Sequence, residues 1–334
     1  MRVVGDPNRK NVKGAFEGTL HTIPLALFAA MLLPPVALAE PTEDADAAYR
    51  RGDYPTALRI AEPLADVGDR AAQYRLGVMY ERGKGLPQDY TAAAMWYRRS
   101  AEQGYAQGQN NLGYLYESGK GVLQDYAEAM RWYRMSADQN YGLAQFNVGN
   151  MYSNGRGVAK DDVEAVQWYR KAAEQRRAAG EFMLGVSYER GRGIAKDETG
   201  AVRWYRTAAE RGFSRAQTNL GLMYAEGRGV ARDDVQAVWW YRKAADQGDV
   251  RAQANLGYMY TKGRGVAKDE AQAVQWYRKA AEQGDASAQT DLGVMYRDGR
   301  GVTADQALAL HWFRKAAEQG NTRAKTALRS MGAR

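Results

Sequence analysis

The sequence predicts an all-α fold, a solenoid of stacked antiparallel helix pairs. Three observations carry that prediction. A 36-residue unit recurs seven times between Asp69 and Gly320 without slip, its small step falling at Leu76-Gly77, Leu112-Gly113, Val148-Gly149, Leu184-Gly185, Leu220-Gly221, Leu256-Gly257 and Leu292-Gly293. A fixed period of roughly 20 to 50 residues marks a repeat array, in which each unit buries its apolar face only against its neighbours. Within a unit, apolar and small residues return twice at helical spacing, as Ala252, Leu256, Met259, Tyr260 and then Ala273, Trp276, Tyr277, Ala280, Ala281. Between the two stretches every unit carries Gly-Lys/Arg-Gly, from Gly83-Lys84-Gly85 to Gly299-Arg300-Gly301.

Residues 1–39 read as an export signal. Arg2, Arg9, Lys10 and Lys13 form a basic start, Ile23 to Leu33 is apolar, and Ala37-Leu38-Ala39 gives a small-x-small cleavage pattern with the cut expected after Ala39. The apolar run, closed by Pro34-Pro35, is short for a membrane span, so no stable transmembrane anchor is expected after signal removal. With no cysteine in the chain, a lipid-modified terminus, a disulfide framework and thiolate metal sites are excluded. The expected location is periplasmic or secreted.

Residues 40–68 are expected to form a shortened N-terminal repeat, because Gly52-Asp53-Tyr54, Ala57 and Ala65 stand 36 residues before Asp89-Tyr90, Ala93 and Ala101 with the first helix and loop trimmed. Pro63 is expected to end or kink its second helix. Residues 69–320 hold the seven full repeats. In each, the first glycine of Gly-Lys/Arg-Gly is expected as a left-handed cap. Asp89, Asp125, Asp161, Asp197, Asp233, Asp269 and Asp305 are expected to cap the second helix, with Glu128, Glu164, Gln236 and Gln272 completing capping boxes. Gly257 and its equivalents cost helix propensity, which points to close approach of a neighbouring helix. Residues 321–334 keep Ala324, Leu328 and Met331 in register but place Arg329 at the glycine position, as suits a C-terminal capping helix with no further neighbour. Arg176 stands where other units end in Gly or Asn, and a changed curvature or flexible joint is expected over residues 176–180.

The run A-x-x-x-L-G-x-M-Y-x-x-G-x-G-V-x-x-D-x-x-x-A-x-x-W-Y-R-K-A-A-E-Q-G, as it stands from Ala252 to Gly284, resembles the Sel1-like repeat, a relative of the tetratricopeptide repeat. The resemblance implies a right-handed superhelix serving as an adaptor or scaffold for other proteins, with protein or peptide binding as the expected role. It implies no chemistry by itself. A β-lactam-binding or hydrolysing enzyme is an alternative, since some cysteine-rich relatives are linked to that activity; this chain has neither the cysteines nor a Ser-x-x-Lys or Gly-x-Ser-x-Gly motif.

Charge and titratable residues narrow the function further. The net charge is +8, spread evenly, and falls to +6 on removal of residues 1–39. Two rows account for much of the basic character. Lys84, Lys120, Arg156, Arg192, Arg228, Arg264 and Arg300 form an edge that would either be plainly solvated or bind cell-wall glycan or another anionic polymer. Arg98, Arg134, Arg170, Arg206, Arg242, Arg278 and Arg314 each have an acid four residues on and read as helix surface. His311 is the only histidine after residue 40, so no two-histidine metal or acid–base site exists there. No catalytic residue, cofactor or metal is expected, no nucleic acid partner, and a monomer.

The Trp-Tyr pairs, Trp96-Tyr97 through Trp312-Phe313, recur in one register and read as core rather than a stacking platform. Candidate partner-binding residues lie on the first helix of each unit, where core packing leaves a stripe free. Arg75, Asn111, Asn147, Asn219, Asn255 and Asp291 share one column, and Tyr114, Asn150 and Tyr258 the next. First helices line the concave groove in related helical-repeat proteins, and asparagine both donates and accepts towards an extended peptide; helix packing is the competing role for such a column. Trp239, in a column otherwise filled by Met95, Arg131, Gln167, Arg203, Gln275 and His311, is expected to be exposed and is the remaining candidate.

Overall fold

The computed structural model describes residues 41–332, so the export signal expected over residues 1–39 lies outside the described residues. The helices are α1 Pro41–Arg51, α2 Tyr54–Asp66, α3 Arg70–Arg82, α4 Tyr90–Glu102, α5 Ala106–Ser118, α6 Tyr126–Asp138, α7 Gly142–Asn154, α8 Asp162–Glu174 and α9 Ala178–Arg190. They continue as α10 Glu198–Glu210, α11 Ser214–Glu226, α12 Asp234–Asp246, α13 Val250–Lys262, α14 Glu270–Glu282, α15 Ala286–Asp298, α16 Gln306–Glu318 and α17 Thr322–Ser330. Each packs on its chain neighbours, giving an all-α solenoid of helix hairpins with no strand among the described residues.

The helix ends follow from local chemistry. Asp125 Oδ1 accepts from the backbone N–H groups of Ala127 at 2.9 Å and Glu128 at 3.0 Å, and the other unit aspartates cap their helices likewise. The expected capping box is incomplete. The Asp125 N–H donates instead to the Tyr116 carbonyl at 3.0 Å, tying the two helices of the hairpin together, and Glu128 turns to Arg131 at 2.6 Å. First helices end on left-handed glycines such as Gly83 and Gly263, at φ 62° and 66°.

The core is built from glycine against tyrosine. A Cβ on Gly257 would lie 2.8 Å from the Tyr277 ring, and one on Gly77 2.5 Å from Tyr97, so the missing side chain admits the ring of the second helix. The tryptophan beside it reaches back: Trp132 packs with Leu112, Leu115 and Tyr97, and Trp168 with Val148, Met151 and Tyr133. The pair thus joins packing within a unit to packing between units. The aromatic stripe is core, with Trp204 and Trp312 only partly covered.

Three expectations need correction. α2 continues through Pro63 to Asp66; the proline sits near the helix end, where it and Arg59 are exposed and water can reach the carbonyl left without a donor. The Arg176 junction keeps the geometry of its equivalents. Arg176 takes φ 56°, and its N–H and that of Arg177 donate to Ala173 and Ala172, as Gly248 and Asp249 do to Ala245 and Ala244. Gly180 then packs so closely on α8 that a Cβ would lie 2.8 Å from that of Ala172, which leaves no slack for a joint. Finally, Arg134, Arg206 and Arg278 donate to the hydroxyls of Tyr152, Tyr224 and Tyr296 at 3.0, 2.8 and 2.7 Å, and Arg98 and Arg242 to Tyr116 and Tyr260. The phenol of the next first helix wins because an exposed pair one turn along is worth only a few tenths of a kcal/mol.

The basic edge is largely satisfied within the array. In six of the seven Gly-Lys/Arg-Gly loops, all but that of Arg192, the cation meets the first residue of the preceding unit's second helix, 30 positions earlier. Lys84, Lys120 and Arg156 lie 5.4, 5.2 and 5.6 Å from the ring centroids of Tyr54, Tyr90 and Tyr126. Arg228, Arg264 and Arg300 instead pair with Glu198, Asp234 and Glu270 at 3.3, 2.6 and 2.7 Å. Hydrogen bonds from Arg264 and Arg232 hold the Asp234 carboxyl at about 2.

Candidate functional site

The first-helix stripe is built over the hydroxyls of the core tyrosines. Tyr97, Tyr133 and Tyr205 donate to Glu81, Glu117 and Glu189 at 2.5, 2.8 and 2.5 Å, and Tyr169 donates to Asn150 at 2.9 Å. Burial is the leading cause that pushes these phenols up, Tyr169 to about 12, so they remain donors at neutral pH. Asn111 and Asn219 stand beside the hydroxyls of Tyr97 and Tyr205.

The candidate residues divide into groups along this stripe. At the N-terminal end most are engaged internally. Asn110 donates to Asn111 at 3.1 Å and accepts from Asn147 at 2.9 Å, so Asn111 and Asn147 are joined through a residue the sequence did not single out. Asn150 serves Tyr169, and Arg75 is held by Asp46 at 2.5 Å with the Tyr49 ring 4.5 Å away. Tyr114 is 39% exposed, its hydroxyl accepting from Lys120 at 3.1 Å.

Asn255, Tyr258 and Asp291 come together at the C-terminal end. Tyr258, 43% exposed, stands between two adjoining cavities. One, of about 150 Å³, is lined by Leu222, Ala225, Glu226, Tyr241, Asn255, Tyr258, Met259 and Arg264. The other, of about 250 Å³, is lined by Tyr258, Thr261, Lys262, Tyr277, Asp291, Val294, Met295, Arg300 and Arg323. Asn219 lines neither, although Leu222, one turn further along α11, does.

Trp239 is separated from this group. It is 46% exposed, and lines a different cavity, of about 320 Å³, with Arg206, Glu210, Tyr224, Val235, Gln236 and Trp240. Lys243 covers its ring at 3.9 Å. His311, in the same column, is exposed and packs edge-on to Trp312 at 5.1 Å.

Asp291 is the half-buried acid of the site. It pairs with Arg323 of α17 at 2.5 Å, yet burial outweighs that attraction and pushes its carboxyl up from the usual 3.8. A carboxyl raised on folding favours the native state fully below 3.8 and withdraws that support as pH rises through its raised value. Asp291→Asn should therefore be more stable than the parent at pH 7, with the difference shrinking as pH falls through the raised value and gone below 3.8. Thermal melts across pH 3 to 8 test this; a less stable variant at pH 7 would show that the Arg323 pair outweighs burial.

Lys262, Arg300 and Arg323 were not singled out as site residues. The available signal was an acid at 291 in an asparagine column, matched by a base in the terminal segment. The arrangement offers hydrogen bonding, an exposed aromatic ring and cations. Among the described residues there is no group of acids and histidines that would hold a metal, and no helix long and apolar enough to cross a membrane.

Comparison with known proteins follows this geometry. The Sel1 repeat model matches residues 70–105, 106–141, 142–176, 178–213, 214–249, 250–285 and 286–321. Among solved structures, a protective antigen present in uropathogenic Escherichia coli strains displaying an SLR fold is 41% identical with TM-score 0.73, over 81% of this chain and 58% of the antigen. The chain thus spans little more than half of that relative's length. A Sel1 repeat protein from Oxalobacter formigenes is 33% identical with TM-score 0.67, over 72% of this chain and 97% of its own. A comparison with curated proteins returned no match.

Proposed function

The chain belongs to the Sel1 repeat family, and on that premise we propose that it is an exported, non-enzymatic adaptor that binds an extended segment of another protein along its first-helix face. Tyr258 and the cavities on either side of it form the main contact. The observation that carries this reading is the convergence of Asn255, Tyr258 and Asp291 on two adjoining cavities of the same stripe. Sites that bind other molecules are concave, with apolar walls and a few convergent polar groups, and aromatic anchors dominate their energetics. Asn255 supplies both a donor and an acceptor for a peptide backbone.

Export rests on the basic start, apolar run and small-x-small site of residues 1–39. The description of its E. coli relative as a protective antigen accords with exposure outside the cytoplasm. The anionic-polymer reading loses support, because six of the seven loop cations meet aromatic rings or carboxylates of the array itself.

A photo-crosslinker placed at Tyr258 in the native envelope should yield a discrete adduct. Tyr258→Ala or Asn255→Arg in the purified mature chain should then weaken binding of that partner at least tenfold, or about 1.4 kcal/mol, with helicity unchanged. Undiminished binding by both variants would remove the site from this face.

A further inference from the structure

The two cavities beside Tyr258 differ in charge, and that difference specifies a partner. In the larger one Lys262, Arg300 and Arg323 face a single acid, Asp291. Arg300 is balanced by Glu270 from outside the cavity at 2.7 Å, and Arg323 by Asp291. Lys262 forms no salt bridge among the described residues; it is exposed, and its ammonium lies 6.0 Å from the centroid of Tyr258. The cavity therefore keeps an uncompensated positive charge beside an aromatic wall. The smaller cavity does not. Its Arg264 is held by Asp234, its Glu226 adds an acid, and Leu222, Ala225 and Met259 supply apolar walls.

We propose that the groove selects an extended peptide segment carrying an acidic side chain for the Lys262 cavity and an apolar side chain for the Leu222 cavity, with Tyr258 packed between them. This rests on the groove reading given above and adds its specificity. Both cavities touch Tyr258, so their occupants lie about one side chain's breadth apart, which is about two to three residues of extended chain at ~3.3 Å each. Charge complementarity supplies discrimination as well as affinity: a basic residue at the first position would meet Lys262 and be rejected. Asn255, beside the apolar cavity, is left to hold the peptide backbone between the two side chains.

The test uses the mature chain and fluorescein-labelled ten-residue peptides, acetylated and amidated so that no terminal charge remains, each with a Glu and a Leu two or three residues apart in a Gly/Ser frame. The Glu peptide should bind at least tenfold more tightly than its Gln counterpart, and the ratio should fall in 0.5 M NaCl. Lys262→Glu, on an exposed position, should abolish or invert the preference towards a Lys peptide while leaving the melting temperature unchanged. Equal binding of Glu and Gln peptides, or a preference that survives Lys262→Glu, overturns the proposal. So does binding that appears only when the peptide has a free terminal carboxylate. Asn255→Arg separates the two levels. If it weakens every peptide alike while no Glu preference exists, the groove stands and the acidic specificity fails; if peptides bind and Asn255→Arg is indifferent, both fail, and if none binds at any ratio, this specificity is overturned.

Discussion

Replacing Arg211 by alanine is expected to cost about 3 kcal/mol, towards the low end of the range for breaking a buried ion pair because Arg211 keeps one end in water. Its partner Glu181 is 1% exposed, and Arg211 Nε donates to both carboxylate oxygens at 2.8 and 3.0 Å. In other units the same place is a neutral ladder: Gln103, Gln139, Gln247, Gln283 and Gln319 donate to Gln73, Gln109, Gln217, Gln253 and Gln289 at 2.7 to 2.9 Å. Truncating Arg211 would strand a carboxylate among apolar neighbours. Converting both residues to glutamine should rebuild the ladder and restore most of the loss. Because a repeat array couples only through adjacent units, the single variant should also split its urea transition, with exchange protection lost first across α9 and α10. A cost below 1 kcal/mol with one sharp transition would contradict this.

Gly265→Ala should be at least as damaging, at about 3 kcal/mol or more, since left-handed backbone contributes about 1 to 2 and overpacking about 1 to 3. Gly265 has φ 65°, and an added Cβ would fall 2.0 Å from the Asp234 carbonyl oxygen, against backbone that cannot rotate away. Gly284 is the control. At φ 95° it meets nothing within 4 Å, and Asn140 holds φ 64° at the equivalent turn, so Gly284→Asn should cost about 1 kcal/mol or less. Denaturant melts of the two variants compare them directly, and similar losses would mean that the approach of the loop to α12 is not tight.

Helix pairing, left-handed caps and core pairs were legible in the sequence because each depends on chemistry inside one unit, repeated seven times. Gly257 facing Tyr277 is an example: both residues sit in the same hairpin, and the cost of glycine in a helix asks for a reason. What crosses between units was not legible. Arg264 looks like an exposed loop cation until Asp234, 30 residues earlier, is brought beneath it. The Arg176 expectation failed because one strained residue is held by the same two turn hydrogen bonds that hold glycine elsewhere. The asparagine column was read as uniform. Whether each member turns to a neighbour, as Asn147 does to Asn110, or borders a cavity, as Asn255 does, depends on the residues of the next helix.

The pairing of six loop cations with the residue 30 positions earlier bears on how such an array is inherited. Near-identical tandem copies recombine, gaining or losing whole units. A tyrosine ring and a carboxylate both attract a cation, so a new seam between any two of the paired units still finds a partner, whether Arg264 comes to face Tyr126 or Lys120 comes to face Asp234. The Glu181–Arg211 joint has no such tolerance, because either residue moved beside a glutamine leaves a charge without its counterion. Both residues lie in the fourth unit, so whole units can be gained or lost around them, and only a crossover falling between Glu181 and Arg211 is barred.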